Sequence, residues 1–236
     1  VGKLRLPPLE AGSPRIARRV QLMLTQGGML IESDRSQTLK RVAKEIVPCA
    51  QEGSPACQYY AALLPLPDET LAGQSDALLL RAAQGGFAQA QFVIGHRLSY
   101  GRHADLAKAR VWLEAALGNR LVLAAVRLAR LEIESGTGEG WGRARSLLED
   151  AYEAGETGAA LPLAALYAAP PHESMRNAHG VAALVKRATR VRGHSPYTAE
   201  VEAAAAAARG DFDQAIRHQN RAMDLAREPN WESTPL

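Results

Sequence analysis

Few side chains in this chain have the type and spacing to do chemistry, and the two cysteines come first. Cys49 and Cys57 are its only thiols, and between them stands Gly53-Ser54-Pro55. Those three residues are a turn signal: glycine closes one helix, and serine followed by proline opens the next. Each sulfur then sits about one turn from the bend, where Cα separations of roughly 5–6 Å suit a disulfide. A bridge would require an oxidising compartment; the alternative is a pair of reduced cysteines packed as small hydrophobes. No second Cys or His pair has ligand spacing, so no metal is expected.

The other candidates are thinner. Histidines at 96, 103, 172, 179, 194 and 218 are scattered, and His172-Glu173 lies in a proline-rich loop where solvated polarity is a sufficient account. Glycines 136, 138, 140 and 142 miss the Gly-x-Gly-x-x-Gly phosphate spacing and are expected to form a flexible connector. Ser-x-x-Lys, Gly-x-Ser-x-Gly and His-Glu-x-x-His are all absent from the sequence. No catalytic residue and no cofactor are therefore assigned, and the chain is not expected to be an enzyme. Lys186, Arg187, Arg190 and Arg192 crowd one helix end, where positive charge offsets the helix dipole. With 28 basic against 25 acidic residues and no basic rows interleaved with aromatics, nucleic acid is not an expected partner.

The elements that carry these residues are legible from composition. Apolar residues make up 47 % and aromatics only 5 %, which implies a sizeable core built from small side chains between helices. No uninterrupted apolar run reaches the roughly 18–20 residues of a membrane span, and position 1 opens no signal peptide, so any targeting segment is expected to have been removed. Five segments end a helix and turn in the same way: 49–53, 82–86, 115–119, 150–155 and 188–193, starting 33, 33, 35 and 38 residues apart. After each middle turn comes an alanine-rich amphipathic helix, beginning at Ala90, Ala124 and Ala159. Small residues recurring at fixed points let paired helices approach closely.

This pattern resembles the Sel-one-like repeat family, kin of the tetratricopeptide repeats. The best stretch is Ala90 to Asn119, with Ile94-Gly95, Ala109, Trp112-Leu113 and Ala115-Ala116. Gly210 to Leu225 looks more like a plain tetratricopeptide repeat, whereas Asp68 to Asp76 matches weakly. Glu202 stands where a small residue belongs, so the helix around it is expected to be irregular. The resemblance implies an all-α, right-handed superhelical solenoid of about five to six antiparallel helix pairs. Residues 1–33 would then be an extension and capping helix, 34–228 the repeats, and 229–236 a tail bearing Trp231. Secreted members from Gram-negative bacteria often bridge the two helices with cysteines at these positions, which implies a Cys49–Cys57 disulfide and a periplasmic location.

In the family the first helix of each pair lines the concave, partner-binding side. Counted from Gly95, the residues expected there are Phe92, His96, Ser99 and Tyr100, then Val126, Arg130, Ile133 and Glu134. Tyr59 and Leu161 are the counterparts of Phe92. The partner-binding set is thus Tyr59, Phe92, His96, Tyr100, Val126, Arg130 and Leu161, edged by Arg97 and Arg127; aromatic and arginine anchors of this kind make hot spots. Trp112 and Trp141 are expected to be packing residues, and the core to include Ala90, Ile94, Gly95, Leu98, Ala109, Leu113, Ala116, Leu128, Ala144, Leu148, Ala160, Leu163 and Ala215. The family points to a periplasmic protein that binds another protein: an immunity protein blocking an antibacterial effector such as a type VI secretion lipase. The alternative is an envelope scaffold, as in exopolysaccharide secretion. A weak β-lactam-binding hydrolase is a third reading, and it finds no nucleophile motif here.

Overall fold

A computed structural model describes residues 32–64, 71, 73–170 and 177–227. The expected N-terminal extension, the His172 loop and the Trp231 tail fall wholly or largely outside the described residues, as do residues 68–70 and 72 of the weakly matching stretch 68–76. Among those residues the fold is all-helical, with eleven α-helices, one short 3-10 turn and no strand. They divide into two units, up to Leu121 and from Val122.

The first unit contains α1 (Glu32–Gln51), α2 (Pro55–Leu63), α3 (Ser75–Gln84), α4 (Ala88–Leu98) and α5 (Leu106–Gly118). Helices α2 and α3 pack as one pair and α4 and α5 as the next, with α1 lying against α2. Its core is Val42 and Ile46 from α1, Cys57, Tyr59 and Tyr60 from α2, Leu78 and Leu79 from α3, and Ala90 from α4. Trp112 packs partly buried against this cluster, as expected of a packing residue.

The second unit contains α6 (Leu123–Glu134), α7 (Gly138–Glu153), α8 (Ala160–Ala168), α9 (Ala178–Arg192), α10 (Pro196–Ala208) and α11 (Phe212–Arg227). These pair as α6 with α7, α8 with α9, and α10 with α11, so the described residues hold five helix pairs in all. Leu128, Ala144, Leu148, Leu163, Val181, Val185 and Val201 are buried here.

The recurring turn has one physical basis. After α1, α3, α5 and α7 the chain closes with paired hydrogen bonds in which two successive amides reach back over the last helical turn. In the turn after α3, Gly86 N–H donates to Ala83 O at 3.0 Å and Phe87 N–H to Ala82 O at 3.0 Å. That geometry needs a left-handed residue, supplied by Gly53, Gly86 and Gly155, and in the third turn by Arg120 at φ 66°. The same closure joins α10 to α11 through Gly210, inside a pair. Buried glutamines repeat too: Gln58 Nε2 donates to Ala50 O and Gln91 Nε2 to Ala83 O, each satisfying a carbonyl at the end of the preceding helix.

Three expectations need correction. The glycine run is not a flexible connector, because α7 starts at Gly138 with Thr137 as its cap, the Thr137 hydroxyl accepting from Gly140 N–H at 3.0 Å. A Cβ on Gly140 would lie 2.6 Å from the Glu132 carbonyl oxygen, so this glycine lets the chain pass close to the end of α6. Helix α10 is regular: Ser195 and Thr198 form a reciprocal capping box, Pro196 occupies the first turn, and Glu202 places a carboxylate oxygen 3.2 Å from His218 Nδ1. Finally, Ile94, Leu98 and Ala215 keep part of their surface exposed, whereas the other expected core residues are buried.

Candidate functional site

Cys49 near the end of α1 and Cys57 in the first turn of α2 lie at disulfide distance, their Cα atoms 5.8 Å apart. The glycine turn between them brings this about: Ser54 N–H donates to Cys49 O at 3.2 Å and folds α2 back on α1. Such a covalent tie holds α1 on the repeats and is consistent with an extracytoplasmic protein, since disulfides persist in oxidising compartments.

In the first unit, three residues of the expected row form a ladder of rings. Phe92 and His96 are four residues apart on α4, and Tyr100 lies four further on just past its end, so all three share one side. The Phe92 and His96 rings stack at 5.9 Å with their planes 11° apart, and Tyr100 meets His96 edge-on at 4.9 Å. All three are partly exposed. Aromatic contacts of this type are worth about 0.5–1.5 kcal/mol each, so the ladder stands formed before any partner arrives. Ser99 Oγ donates to the His96 carbonyl at 2.8 Å and so belongs to the helix end. Arg97 at the edge is engaged by Asp76 of α3 at 3.0 Å.

Two members of the expected row are buried. Tyr59 is 3 % exposed because Phe87, the residue before α4, closes over it at 5.0 Å while Tyr60 packs edge-on at 5.3 Å. Burial pushes the Tyr59 phenol up to about 12 and raises Tyr60 as well, with Tyr59 adding to the latter. Leu161 on α8, 8 % exposed, is likewise part of its own unit's core. Sequence spacing placed both at the register position of Phe92; a covering neighbour is what spacing does not show.

In the second unit Val126 and Arg130 are partly exposed on α6, and Arg130 Nε donates to Glu134 Oε1 at 2.9 Å. This face is ionic. A neighbouring feature escaped the sequence reading: Glu132 is 2 % exposed, and Arg143 of α7 grips its Oε2 with Nε at 3.0 Å and Nη2 at 2.7 Å. Arg143 also bonds Glu139 on its own helix. The available signal was a glutamate at a register position filled by Leu98 in the preceding repeat. On α8, Tyr167 donates to Glu149 Oε1 of α7 at 2.6 Å, and desolvation followed by that carboxylate pushes its phenol up to about 12. Within the basic cluster at the end of α9, the Arg187 guanidinium lies 5.0 Å over the Tyr152 ring, which adds a cation–π contact to the dipole account.

Among the described residues no group of three or more His, Cys, Asp or Glu could hold a metal ion, and no helix is long and apolar enough to cross a membrane. No protein-family model matches the sequence, and no curated protein matches it at a significant level. Solved structures do match. A Sel1 repeat protein from Oxalobacter formigenes superimposes with a TM-score of 0.64 at 16 % identity, over 90 % of this chain and 86 % of that one. A protective antigen present in uropathogenic Escherichia coli strains, displaying the Sel1-like repeat fold, matches with a TM-score of 0.54 at 12 % identity. That match covers 88 % of this chain and 52 % of the other, so the chain spans about half the antigen's length. Consecutive helix pairs and both structural matches agree: the chain has the Sel1-like repeat fold.

Proposed function

We propose that this chain is a non-enzymatic, periplasmic protein-binding repeat protein whose partner docks on the Phe92–His96–Tyr100 ladder. Within that class it acts as an immunity protein that binds and blocks an antibacterial effector, such as a type VI secretion lipase. The observation that carries the reading is the ladder: three rings in consecutive contact, partly exposed, along α4 and just past its end. Prearranged aromatic surface loses little ordering entropy on binding, and rings of this kind become anchors once water is excluded. Val126 and Arg130 of α6 are proposed as a second, more polar contact. Steric blockade of a toxin asks for no catalytic group on this side, and the Cys49–Cys57 pair suits a periplasmic setting.

The test is protection. Exported together with the effector encoded by the neighbouring gene, the chain is expected to restore growth. Tyr100→Ala combined with Arg130→Glu is expected to abolish protection, with a binding loss of about 2 kcal/mol or more at the aromatic anchor and a nearly unchanged melting temperature. Growth arrest despite the wild-type chain would overturn the immunity reading. Recovery of a stable multiprotein envelope assembly in its place would favour the scaffold alternative.

A further inference from the structure

Helix α11, the last helix among the described residues, carries a second apolar face. Towards its own unit it buries Ala222 and partly buries Gln214, Ala215, His218 and Leu225. On another side stand Phe212, Ile216 and Met223, which are 67 %, 59 % and 44 % exposed. With the exposed Gln219 and Ala226 they fall at alternating spacings of four and three residues: 212, 216, 219, 223, 226. That is the seam spacing of a helix that pairs with another helix, not the broader stripe of one that only covers a core. Three large apolar side chains exposed along one line also mark an interaction surface more strongly than the same residues scattered.

The flanks of the seam indicate what pairs with it. Along one edge stand Asp213, Asn220 and Arg227, seven residues apart. If a second copy of α11 runs antiparallel and pivots about Asn220, Asp213 of each copy faces Arg227 of the other. A parallel arrangement would instead set this edge against the Ala215 and Ala222 edge of the other copy, where neither charge finds a partner. Along the other edge Ala215 offers little bulk, which lets a second helix approach, while Ala222 is already buried against its own unit. Arg227 is currently paired with Asp224 at 3.6 Å, both well exposed, and such surface pairs exchange at little cost. We propose that α11 is a self-association surface on which two copies of this chain pair antiparallel, with Ile216 and Met223 at the centre of the seam. The seam is about two heptads long, shorter than the three or four that sustain an independent coiled coil. The dimer is therefore reversible and concentration-dependent.

Sedimentation equilibrium of the full chain over a wide concentration range tests this. The expected result is a monomer–dimer equilibrium that Ile216→Lys weakens at least tenfold; because Ile216 is exposed, the melting temperature should hold, which separates lost pairing from lost fold. Charge reversal supplies the orientation. Asp213→Arg and Arg227→Asp are each expected to weaken self-association several-fold, and an equimolar mixture of the two variants to associate more tightly than either alone. A monomer at every concentration would overturn the proposal, and so would an Ile216→Lys variant that dimerises normally. A mixture no tighter than its components would overturn the antiparallel arrangement.

Discussion

Helix pairs α4/α5 and α6/α7 occupy the same repeat register and answer it with different chemistry. Position for position, Phe92 corresponds to Val126, Gly95 to Ala129, His96 to Arg130, Leu98 to Glu132 and Tyr100 to Glu134. At the crossing both pairs use a small residue: Gly95 is buried, and Ala129 is 1 % exposed. Away from the crossing they diverge. The first pair presents stacked neutral rings, whereas the second presents an Arg130–Glu134 ion pair and sinks the Glu132 carboxylate against Arg143. What the register fixes is helix approach, which depends on side-chain volume at one point. What it leaves open is surface chemistry.

The sharpest break in the comparison lies at Leu98 and Glu132. A partly buried leucine needs no partner, but a buried carboxylate depends on its guanidinium. Arg143→Ala is therefore expected to destabilise the protein by about 3 kcal/mol, the lower end of the range for stripping a buried pair, because Arg143 itself remains half exposed. Replacing both partners, Glu132→Leu with Arg143→Leu, should recover most of that loss and make the second pair resemble the first. Urea unfolding measures both, and a neutral Arg143→Ala would mean that the carboxylate is held by other groups.

Gly95 ranks second. A Cβ there would stand 2.7 Å from Leu113 Cγ and 3.1 Å from the Ala109 carbonyl oxygen, so α4 and α5 would have to separate. Gly95→Leu is expected to cost about 1–3 kcal/mol through overpacking. Gly95→Ala should cost less than Gly95→Leu, since the flexible Leu113 can give way but the Ala109 carbonyl is backbone. A thermal melt unchanged by the leucine variant would remove the close crossing from the comparison.

These two positions also show how far the amino-acid sequence carried. Gly95 and its small counterparts were legible because volume at a helix crossing is imposed on the residue itself, and so were the glycine turns, whose backbone geometry is local. The Cys49–Cys57 pairing followed from family resemblance more than from spacing. Burial was less legible: Tyr59 shares a register position with Phe92, yet Phe87 covers one and nothing described covers the other to that degree. Gly140 misled because glycine usually weakens helices, while here its missing side chain makes room for the Glu132 carbonyl. Glu132 itself shows the limit, since only the fold brings Arg143, eleven residues on, to its carboxylate.

The smallest expected effect concerns how the two pairs end. The turn after α5 closes on Arg120 at φ 66°, and the turn after α7 closes on Gly155 at φ 89°, with matching hydrogen bonds from Leu121 N–H to Ala116 O and from Glu156 N–H to Ala151 O. A side chain in the left-handed region costs about 1–2 kcal/mol, and glycine avoids that cost but gives up about 0.5–1 kcal/mol of unfolded-state entropy. The balance favours glycine, so Arg120→Gly is expected to stabilise the protein by about 0.5–1 kcal/mol. Gly155→Ala should do the reverse by a similar amount, leaving both helix pairs otherwise intact. Arg120 is exposed, so no packing is lost in the exchange and the sign rests on backbone conformation alone. Denaturant midpoints of the two variants moving in opposite directions would establish that the pairs share one closing geometry despite their different faces; an Arg120→Gly variant less stable than wild type would mean that the arginine side chain holds a contact worth more than the strain.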